Sequence, residues 1–142
     1  MDKNYKKSLI DFHTRHKLLI LSHSPKHYQM MGKLVAAQKT FSPKELFMEY
    51  QNLLLDALKI KATVKKHVNV LQHMMGYFKK HLTPDEKTEL LEIIDRYRNE
   101  HVPLVVPMTV VNHYVRKYDQ HYLKAQTYLA PHPVALKVRN FV

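Results

Sequence analysis

Apolar residues recur with helical spacing along most of the chain, and residues 64–82 show this most clearly. At about 100° per residue their apolar side chains fall in one stripe, which predicts a helix with one buried face. The stripe consists of Val64, Val68, Leu71, Met75, Phe78 and Leu82. The opposite face is polar and basic and consists of Lys66, Asn69, His73, Gly76, Tyr77 and Lys80. Because glycine disfavours a helix interior by roughly 1 kcal/mol, this second face needs an explanation of its own.

Periodicity and helix start signals together predict six helices. They cover about residues 4–22, 25–38, 43–60, 62–81, 84–99 and 106–128. Ser24 precedes a proline, and Ser42 and Thr83 each precede a proline with a glutamate three residues after the cap, which is the capping-box pattern. No helix breaker lies in residues 59–66, so the third and fourth helices are either separate or one long bent helix. Pro131 and Pro133 end the sixth helix, and a short extended or half-helical tail follows.

The other predicted helices also carry apolar stripes that are expected to be buried. In the third and fifth helices these are Leu46, Tyr50, Leu53, Leu54, Ala57 and Leu58, and Leu90, Leu91, Ile94 and Tyr97. In the sixth helix they are Leu104, Met108, Val111, Val115, Tyr118, Tyr122, Ala125 and Leu129. Since the chain has only two glycines and few hairpin signals, sheets are disfavoured. The sequence predicts an all-α fold, with residues 1–142 forming one domain, a compact bundle of about six helices that are mostly antiparallel to their neighbours.

Composition restricts the chemistry that the chain can perform. Among 142 residues there is no cysteine, which excludes disulfides, thiolate zinc sites, a cysteine nucleophile and an iron–sulfur cluster held by this chain alone. Residues 1–7 lack the apolar segment of a secretory signal, and the longest apolar run, Leu18–Leu21, is too short to span a bilayer. A cytoplasmic location without membrane contact is therefore expected. The net charge of +11, with eleven further histidines, favours an anionic partner such as a nucleic acid or an anionic small molecule.

Three polar clusters are candidates for a ligand site. The first predicted helix carries His16 and Lys17, the fourth carries Asn69, His73, Gly76 and Tyr77, and the sixth carries His113, Tyr114 and Arg116. A glycine on the outer face of the fourth helix favours close approach by another helix, a ring or a ligand over a simply solvated face. Arginine beside histidine and tyrosine suits a phosphate or a planar base, although a solvated basic face explains the sixth-helix cluster equally well.

Histidines in the first helix raise the question of a metal. His13, His16 and His23 share a stripe with Ile20, but only Asp11 lies nearby as a carboxylate, and metal sites usually need three or four converging ligands. We therefore expect packed or cleft-lining histidines and no metal or other cofactor. The sequence contains no phosphate-binding glycine loop, nucleophile elbow or paired carboxylates, so no catalytic residue is assigned and enzymatic activity is left open.

Three spaced segments resemble a known family. Residues 12–24 read FHTRHKLLILSHS, with Tyr28 and Gly32 after them, residues 69–82 read NVLQHMMGYFKKHL, and residues 103–118 read PLVVPMTVVNHYVRKY. Together they are similar to the YbgA-like family of uncharacterised bacterial proteins. The matching positions are His16, Lys17, His23, Asn69, His73, Gly76, Tyr77, His113, Tyr114, Tyr122 and Gln126. The resemblance brings no role for any of them. It implies that the domain also occurs fused to a thiouracil-desulfidase-type iron–sulfur domain, and hence a link to modified nucleobases.

Three functions follow as hypotheses. The first is an accessory module that binds an anionic ligand, namely a nucleic acid or a nucleobase-bearing molecule. The second is a small histidine-dependent enzyme or ligand pocket, which requires His16, Lys17, His73, Tyr77 and His113 to converge on one cleft. The third is a docking module for a separate iron–sulfur partner protein. The sequence leaves the oligomeric state undetermined.

Overall fold

The helices follow the predicted order. A computed structural model of the protein describes residues 3–130, with side chains from residue 4. Within that range it contains seven α-helices, two 3-10 turns and no strand, which confirms the all-α fold. The helices are α1 (Lys3–His23), α2 (Pro25–Ala36), α3 (Pro43–Lys59), α4 (Val64–Gly76), α5 (Pro84–Arg98), α6 (Val105–Lys117) and α7 (His121–Lys124). The 3-10 turns are Gln38–Thr40 and Thr127–Leu129. The predicted tail after Pro131 lies outside the described residues.

The predicted helix starts are confirmed by their side-chain caps. The Ser24 and Ser42 hydroxyls accept hydrogen bonds from the backbone N–H of His27 and Glu45 at 3.1 and 3.2 Å. At Thr83 both halves of a capping box are present, because Glu86 also accepts from the Thr83 N–H at 3.0 Å. The structure describes no such reciprocal bond at Ser42. These bonds satisfy N–H groups that a helix start otherwise leaves without partners.

Helices α3 and α4 are separate. Helix α3 ends at Lys59, and Ile60 has an extended backbone. Thr63 then begins α4, and its hydroxyl accepts a hydrogen bond from the Lys66 N–H at 3.2 Å. A threonine N-cap inside a run without proline or glycine therefore separates the two helices.

The core has two parts that meet at α1. The larger part joins α1, α4, α5 and α6 with the C-terminal turns, and contains Leu71, Phe78, Leu90 and Val115. The smaller part joins α1, α2 and α3 around Ile20, Met31, Tyr50 and Ala57. The predicted stripe of residues 64–82 faces the larger part, with Val68, Leu71 and Phe78 buried and Val64, Met75 and Leu82 partly buried. The second face of α4 therefore points away from the core.

Two predicted helices are shorter than expected. The fourth ends at Gly76, and residues 77–81 continue as turns with bonds such as His81 N–H to the Phe78 carbonyl at 2.8 Å. The sixth ends at Lys117 because Asp119 adopts a left-handed backbone with φ of 50°. The Gln120 N–H then bonds back to the Val115 carbonyl at 3.1 Å, closing the helix. Residues predicted as the end of one long helix form α7 and a 3-10 turn.

Three residues predicted to be buried are exposed instead. Leu91 is 46% exposed and Leu58 42% exposed, and Ala125 is also exposed. On α5 the residues Leu90, Ile94 and Tyr97 fill the contact, and Leu91 lies about 100° further round the helix. On α3 the apolar residues span a wider part of the helix circumference than α1 and α2 cover, so Leu58 is left exposed. Ala125 follows α7, where the single-helix periodicity used for the prediction no longer applies.

An ion pair connects the start of α5 with the end of α6. The Lys117 ammonium donates to Glu86 at 2.7 Å, and the Tyr118 hydroxyl donates to the same carboxylate. Hydrogen bonds from Lys117, the Thr83 N–H and Tyr118 lower the pKa of Glu86 from its ordinary value of 4.5 to about 2. The carboxylate that caps α5 thus also fixes the position of α6.

A glycine at position 100 should stabilise the fold. Glu100 ends α5 with φ of 60°, and the His101 N–H bonds to the Arg96 carbonyl at 2.9 Å. Because this conformation strains residues with a Cβ, Glu100→Gly should raise the free energy of unfolding by about 0.5–1 kcal/mol. Chemical denaturation measures the change. Asn99→Gly is the matched control, since Asn99 has φ of −89° and gains nothing from glycine. Equal effects of the two substitutions would contradict the conformational explanation.

The Glu86 carboxylate should make stability depend on acid. Its folded-state pKa lies below the unfolded one, so its stabilisation is complete above 4.5 and is lost as the pH falls toward 2. Glu86→Gln should therefore lower the melting temperature at neutral pH and lower it less at about pH 3. Glu92→Gln, at an exposed position on the same helix, is the control. A difference between wild type and Glu86→Gln that stays constant over this range would disprove the role of the charge.

Candidate functional site

The outward face of α4 carries four of the candidate residues. Helix geometry places Asn69, His73, Gly76 and Tyr77 on one side, and the buried stripe fixes that side toward solvent. Asn69 is half-buried, whereas the other three are exposed. Asn69 and Tyr77 are eight positions apart, so the face is about 12 Å long.

A basic groove lies at the Asn69 end of this face. It encloses about 570 Å³ between the start of α4, the start of α2 and the end of α5, and its wall includes Lys65, Lys66, Asn69, Gln72 and Arg98. The Lys66 ammonium donates to the Lys61 carbonyl at 2.8 Å, which holds its charge beside the groove. No carboxylate belongs to the wall, although Asp95 pairs with Arg98 at 3.1 Å. The groove therefore has a positive charge.

Four aromatic side chains gather at and beside the Tyr77 end. The rings of Tyr77 and Tyr122 stack at 4.7 Å with 18° between their planes. The rings of Tyr28 and His73 meet edge to face at 6.3 Å. Burial, followed by the Tyr77 hydroxyl, raises the pKa of both Tyr28 and Tyr122, so these hydroxyls stay protonated at neutral pH. Tyr77 itself is 41% exposed, so its ring is accessible for stacking.

Local bonds place Tyr122 against Tyr77. The Gln120 side chain accepts from the Tyr122 N–H at 2.9 Å and begins the short α7. Six residues after Gln120, the Gln126 amide donates to the Thr14 carbonyl at 2.6 Å and accepts from the Leu18 N–H at 3.3 Å. The segment that carries Tyr122 is thereby attached to α1.

Gly76 has no structural requirement within the described residues. A Cβ added there would meet no described atom outside its own helix turn within 4 Å, and its φ is not positive. The expected approach of another helix of this chain to Gly76 is therefore absent from residues 3–130. Because glycine has no side chain, position 76 adds no side chain to the surface between His73 and Tyr77.

The histidines of α1 are held by neighbouring groups. His16 Nδ1 lies 2.8 Å from the Thr127 hydroxyl, and its ring packs on Phe12 at 4.2 Å. His23 Nδ1 donates to the Ile60 carbonyl at 2.8 Å. Lys17 instead borders a pocket that Tyr28 also lines. Lys17 and His73 are thus both neighbours of Tyr28, whereas His16 and His23 stabilise contacts between segments.

The α6 candidates have different surroundings. Tyr114 is buried in the core, with its ring 6.3 Å from that of Phe78. His113 and Arg116 are exposed, and the His113 ring lies 5.4 Å from Tyr114. Between residues 3 and 130, no hydrogen bond or ring contact joins His113 or Arg116 to Tyr28, His73 or Tyr77. The five residues that the enzyme hypothesis requires are therefore not joined by hydrogen bonds or ring contacts into one cluster.

Sequence reasoning did not select several residues that shape these surfaces. Lys65 and Arg98 line the groove, and Tyr28 is central to the aromatic group. His67 lies inside the core, with Nδ1 2.6 Å from the Tyr128 hydroxyl. Tyr28 and Tyr122 were named with the family resemblance, but nothing in a single sequence places them beside α4. In the sequence, the feature that could have indicated the groove is the pair of adjacent lysines, Lys65 and Lys66, at the start of a helix.

Two further features are absent from the part of the chain that the structure describes. Over residues 3–130, no three His, Asp or Glu side chains are arranged to hold a metal ion. In the same range, no helix is both long and apolar enough to cross a membrane.

Comparison with known proteins assigns the family. This basic helical domain matches, over residues 17–133, the family described as "Protein of unknown function (DUF1722)", and it belongs to that family. It is 31% identical over 134 residues to the "Uncharacterized protein YbgA" of Escherichia coli (strain K12), across 94% of this chain and 79% of that protein. The resemblance to YbgA-like proteins is thereby confirmed. No solved structure matches the chain.

Two histidines of α4 should respond oppositely to truncation. His67→Ala removes a buried ring and its bond to Tyr128, so it should lower the free energy of unfolding by about 2–4 kcal/mol. His73→Ala, on the exposed face, should change it by less than about 0.5 kcal/mol. Urea denaturation measures both, and Leu71→Ala, at a fully buried position, serves as the destabilised reference. A His73→Ala loss as large as that of His67→Ala would mean that His73 is structural.

Proposed function

We propose that this chain is an accessory binding module for an anionic, nucleobase-bearing ligand, above all a single-stranded nucleic acid. The observation that supports this is the arrangement on α4. One exposed helix face joins a groove lined by cations to an accessible pair of stacked tyrosines. Phosphates and bases are the two parts of a nucleic acid that such surfaces attract.

The groove provides the phosphate-binding part of the proposal. Lys65, Lys66 and Arg98 carry three positive charges, and the Arg98 partner Asp95 offsets one of them. Asn69 and Gln72 add side-chain amides that donate hydrogen bonds to phosphate oxygens. The net charge of +11 attracts polyanions over a longer range, and salt screens that attraction.

The tyrosines provide the base-binding part. A base stacked on an aromatic side chain gains about 1–3 kcal/mol without regard to its identity. Tyr77 presents such a ring, and Tyr122 supports it from behind at 4.7 Å. Gly76 keeps the neighbouring surface free of side chain, so a flat ring reaches Tyr77 without obstruction.

The link to modified nucleobases rests on the family resemblance. The resemblance implies that the domain also occurs fused to a thiouracil-desulfidase-type iron–sulfur domain, and such a domain would be suited to presenting a nucleobase to that chemistry. These 142 residues contain no cysteine, so the iron–sulfur cluster would be held by residues outside them.

Binding to single-stranded RNA and DNA of about 12 nucleotides tests the proposal. Fluorescence anisotropy from about 50 to 200 mM salt should show affinity that falls steeply with salt. Lys65→Gln/Lys66→Gln should weaken binding and flatten the plot of log K against log salt by about 1.4, since each lost phosphate contact with a single strand contributes about 0.7. Tyr77→Leu should weaken binding by about 1–3 kcal/mol with an unchanged salt slope.

Lys39→Gln/Lys44→Gln is the matched control for these lysines. Both residues are exposed near the start of α3, and the variant loses the same two charges. If it weakens binding as much as the groove variant, attraction is due to overall charge and the groove assignment is wrong. Absence of binding at about 50 mM salt would overturn the proposal as a whole.

A further inference from the structure

A second pocket lies between α1 and α2. It encloses about 360 Å³, which is within the usual range for small-molecule sites of about 300–1,000 Å³. Helix α1 contributes His13 and Lys17, and α2 contributes Tyr28, Gly32 and Lys33. Neither the aromatic stack nor the basic groove accounts for this set of residues.

His13 is an unusual residue to find in the wall of a pocket. It is only 2% exposed, and its Nδ1 lies 2.9 Å from the Tyr50 hydroxyl on α3. Its Nε2 is buried and has no hydrogen-bond partner among the residues that the structure describes. A buried polar group without a partner costs about 1–3 kcal/mol. A ligand atom that accepts a hydrogen bond from Nε2 would recover that energy.

The bond to Tyr50 determines which ring nitrogen carries the proton. Burial raises the pKa of Tyr50, so its hydroxyl keeps a proton that needs an acceptor. Burial and the neighbouring Lys17 lower the pKa of His13 to about 4, so the imidazole is neutral at pH 7. We assign Nδ1 as the acceptor of the Tyr50 proton, which leaves Nε2–H as a donor.

The charge and shape of the pocket favour an anion with a flat organic part. Lys17 and Lys33 are both in its wall, and no carboxylate is. The Tyr28 ring offers an aromatic surface. Gly32, in the middle of α2, has negative φ, and a Cβ added there would meet no described atom outside its own helix turn within 4 Å. Since glycine weakens a helix by about 1 kcal/mol, its effect here is to keep the pocket open.

We infer that this pocket binds a small planar organic anion, whose phosphate or carboxylate group pairs with Lys17 and Lys33 while His13 Nε2–H donates to it. The flat part of the ligand lies over Gly32 beside Tyr28. Nε2 is covered in this structure, so contact with a ligand requires a side chain of the pocket wall to move aside as the ligand enters. The pocket shares Tyr28 with the aromatic group beside α4, but its anion-binding residues Lys17 and Lys33 are separate from the lysines and arginine of the groove.

Titration of the full chain with uridine monophosphate, inorganic phosphate and benzoate tests the inference. Long-range ¹H–¹⁵N spectra of the histidine side chains should show His13 with its proton on Nε2, and this signal should shift as at least one organic probe is added. Uridine monophosphate and benzoate distinguish phosphate from carboxylate as the anionic group, and inorganic phosphate shows whether the organic part contributes. If no probe shifts the His13 signal at concentrations up to about 10 mM, the inference is wrong.

Three variants locate the binding. Lys17→Gln/Lys33→Gln should raise the Kd for the probe at least about tenfold, which is a loss of about 1.4 kcal/mol. Lys7→Gln/Lys26→Gln removes the same charges from exposed positions on the same helices and should change the Kd less than about twofold. Gly32→Leu should abolish binding while leaving the melting temperature equal or higher, because it fills the pocket and favours the helix.

These variants can disprove the inference even if the protein does not fold when His13 is replaced. Equal loss in both lysine pairs would show that the probe binds through overall charge. Loss of affinity in Lys17→Gln/Lys33→Gln without any shift of the His13 signal would show that the anion binds at the rim and that Nε2 has no part in it. Normal binding by Gly32→Leu would place the ligand elsewhere.

Discussion

The fold depends on the burial of one side of α4. That side packs against α1, α5 and α6, and its residues Val70, Leu71 and Met74 are fully buried. Fixing this face inward fixes Asn69 and His73 outward, because they share one rigid helix, and Tyr77 follows directly after its last residue. The candidate surface on α4 is therefore a direct consequence of core packing. A change in the rotation of this helix would lose the core and the surface together.

Local signals predicted most of the fold. The starts of α2, α3 and α5 follow from serine or threonine caps before proline, and the core stripes of α4 and α6 follow from the helical period. The end of α6 was missed because the residue in the left-handed conformation is Asp119, whereas the sequence signal for a helix end is glycine. Leu91 was predicted to be buried because its position fits the apolar periodicity of the helix. Periodicity alone does not show how much of the helix surface the neighbouring residues and helices cover.

The candidate surfaces were less predictable than the fold, since they depend on contacts between distant parts of the chain. Asn69, His73 and Tyr77 could be selected because one helix carries them. Their neighbours Tyr28 and Tyr122 lie roughly 40 positions or more from that segment and reach it only through packing. His13, His67 and His73 look alike in the sequence, yet one borders a pocket, one is inside the core and one is exposed. Burial and hydrogen-bond partners separate them, and neither property has a local sequence signal.

The side-chain amide of Gln126 connects the segment that carries Tyr122 to α1, the helix that carries Lys17. It bonds to the Thr14 carbonyl and the Leu18 N–H, which are four residues apart and form the partners of one turn of α1. The amide therefore attaches the segment around Tyr122 to this turn of α1. These two hydrogen bonds thereby help to fix how far Tyr122 lies from the side of α1 that carries Lys17. Unwinding of α1 at this turn would consequently also release the segment that carries Tyr122.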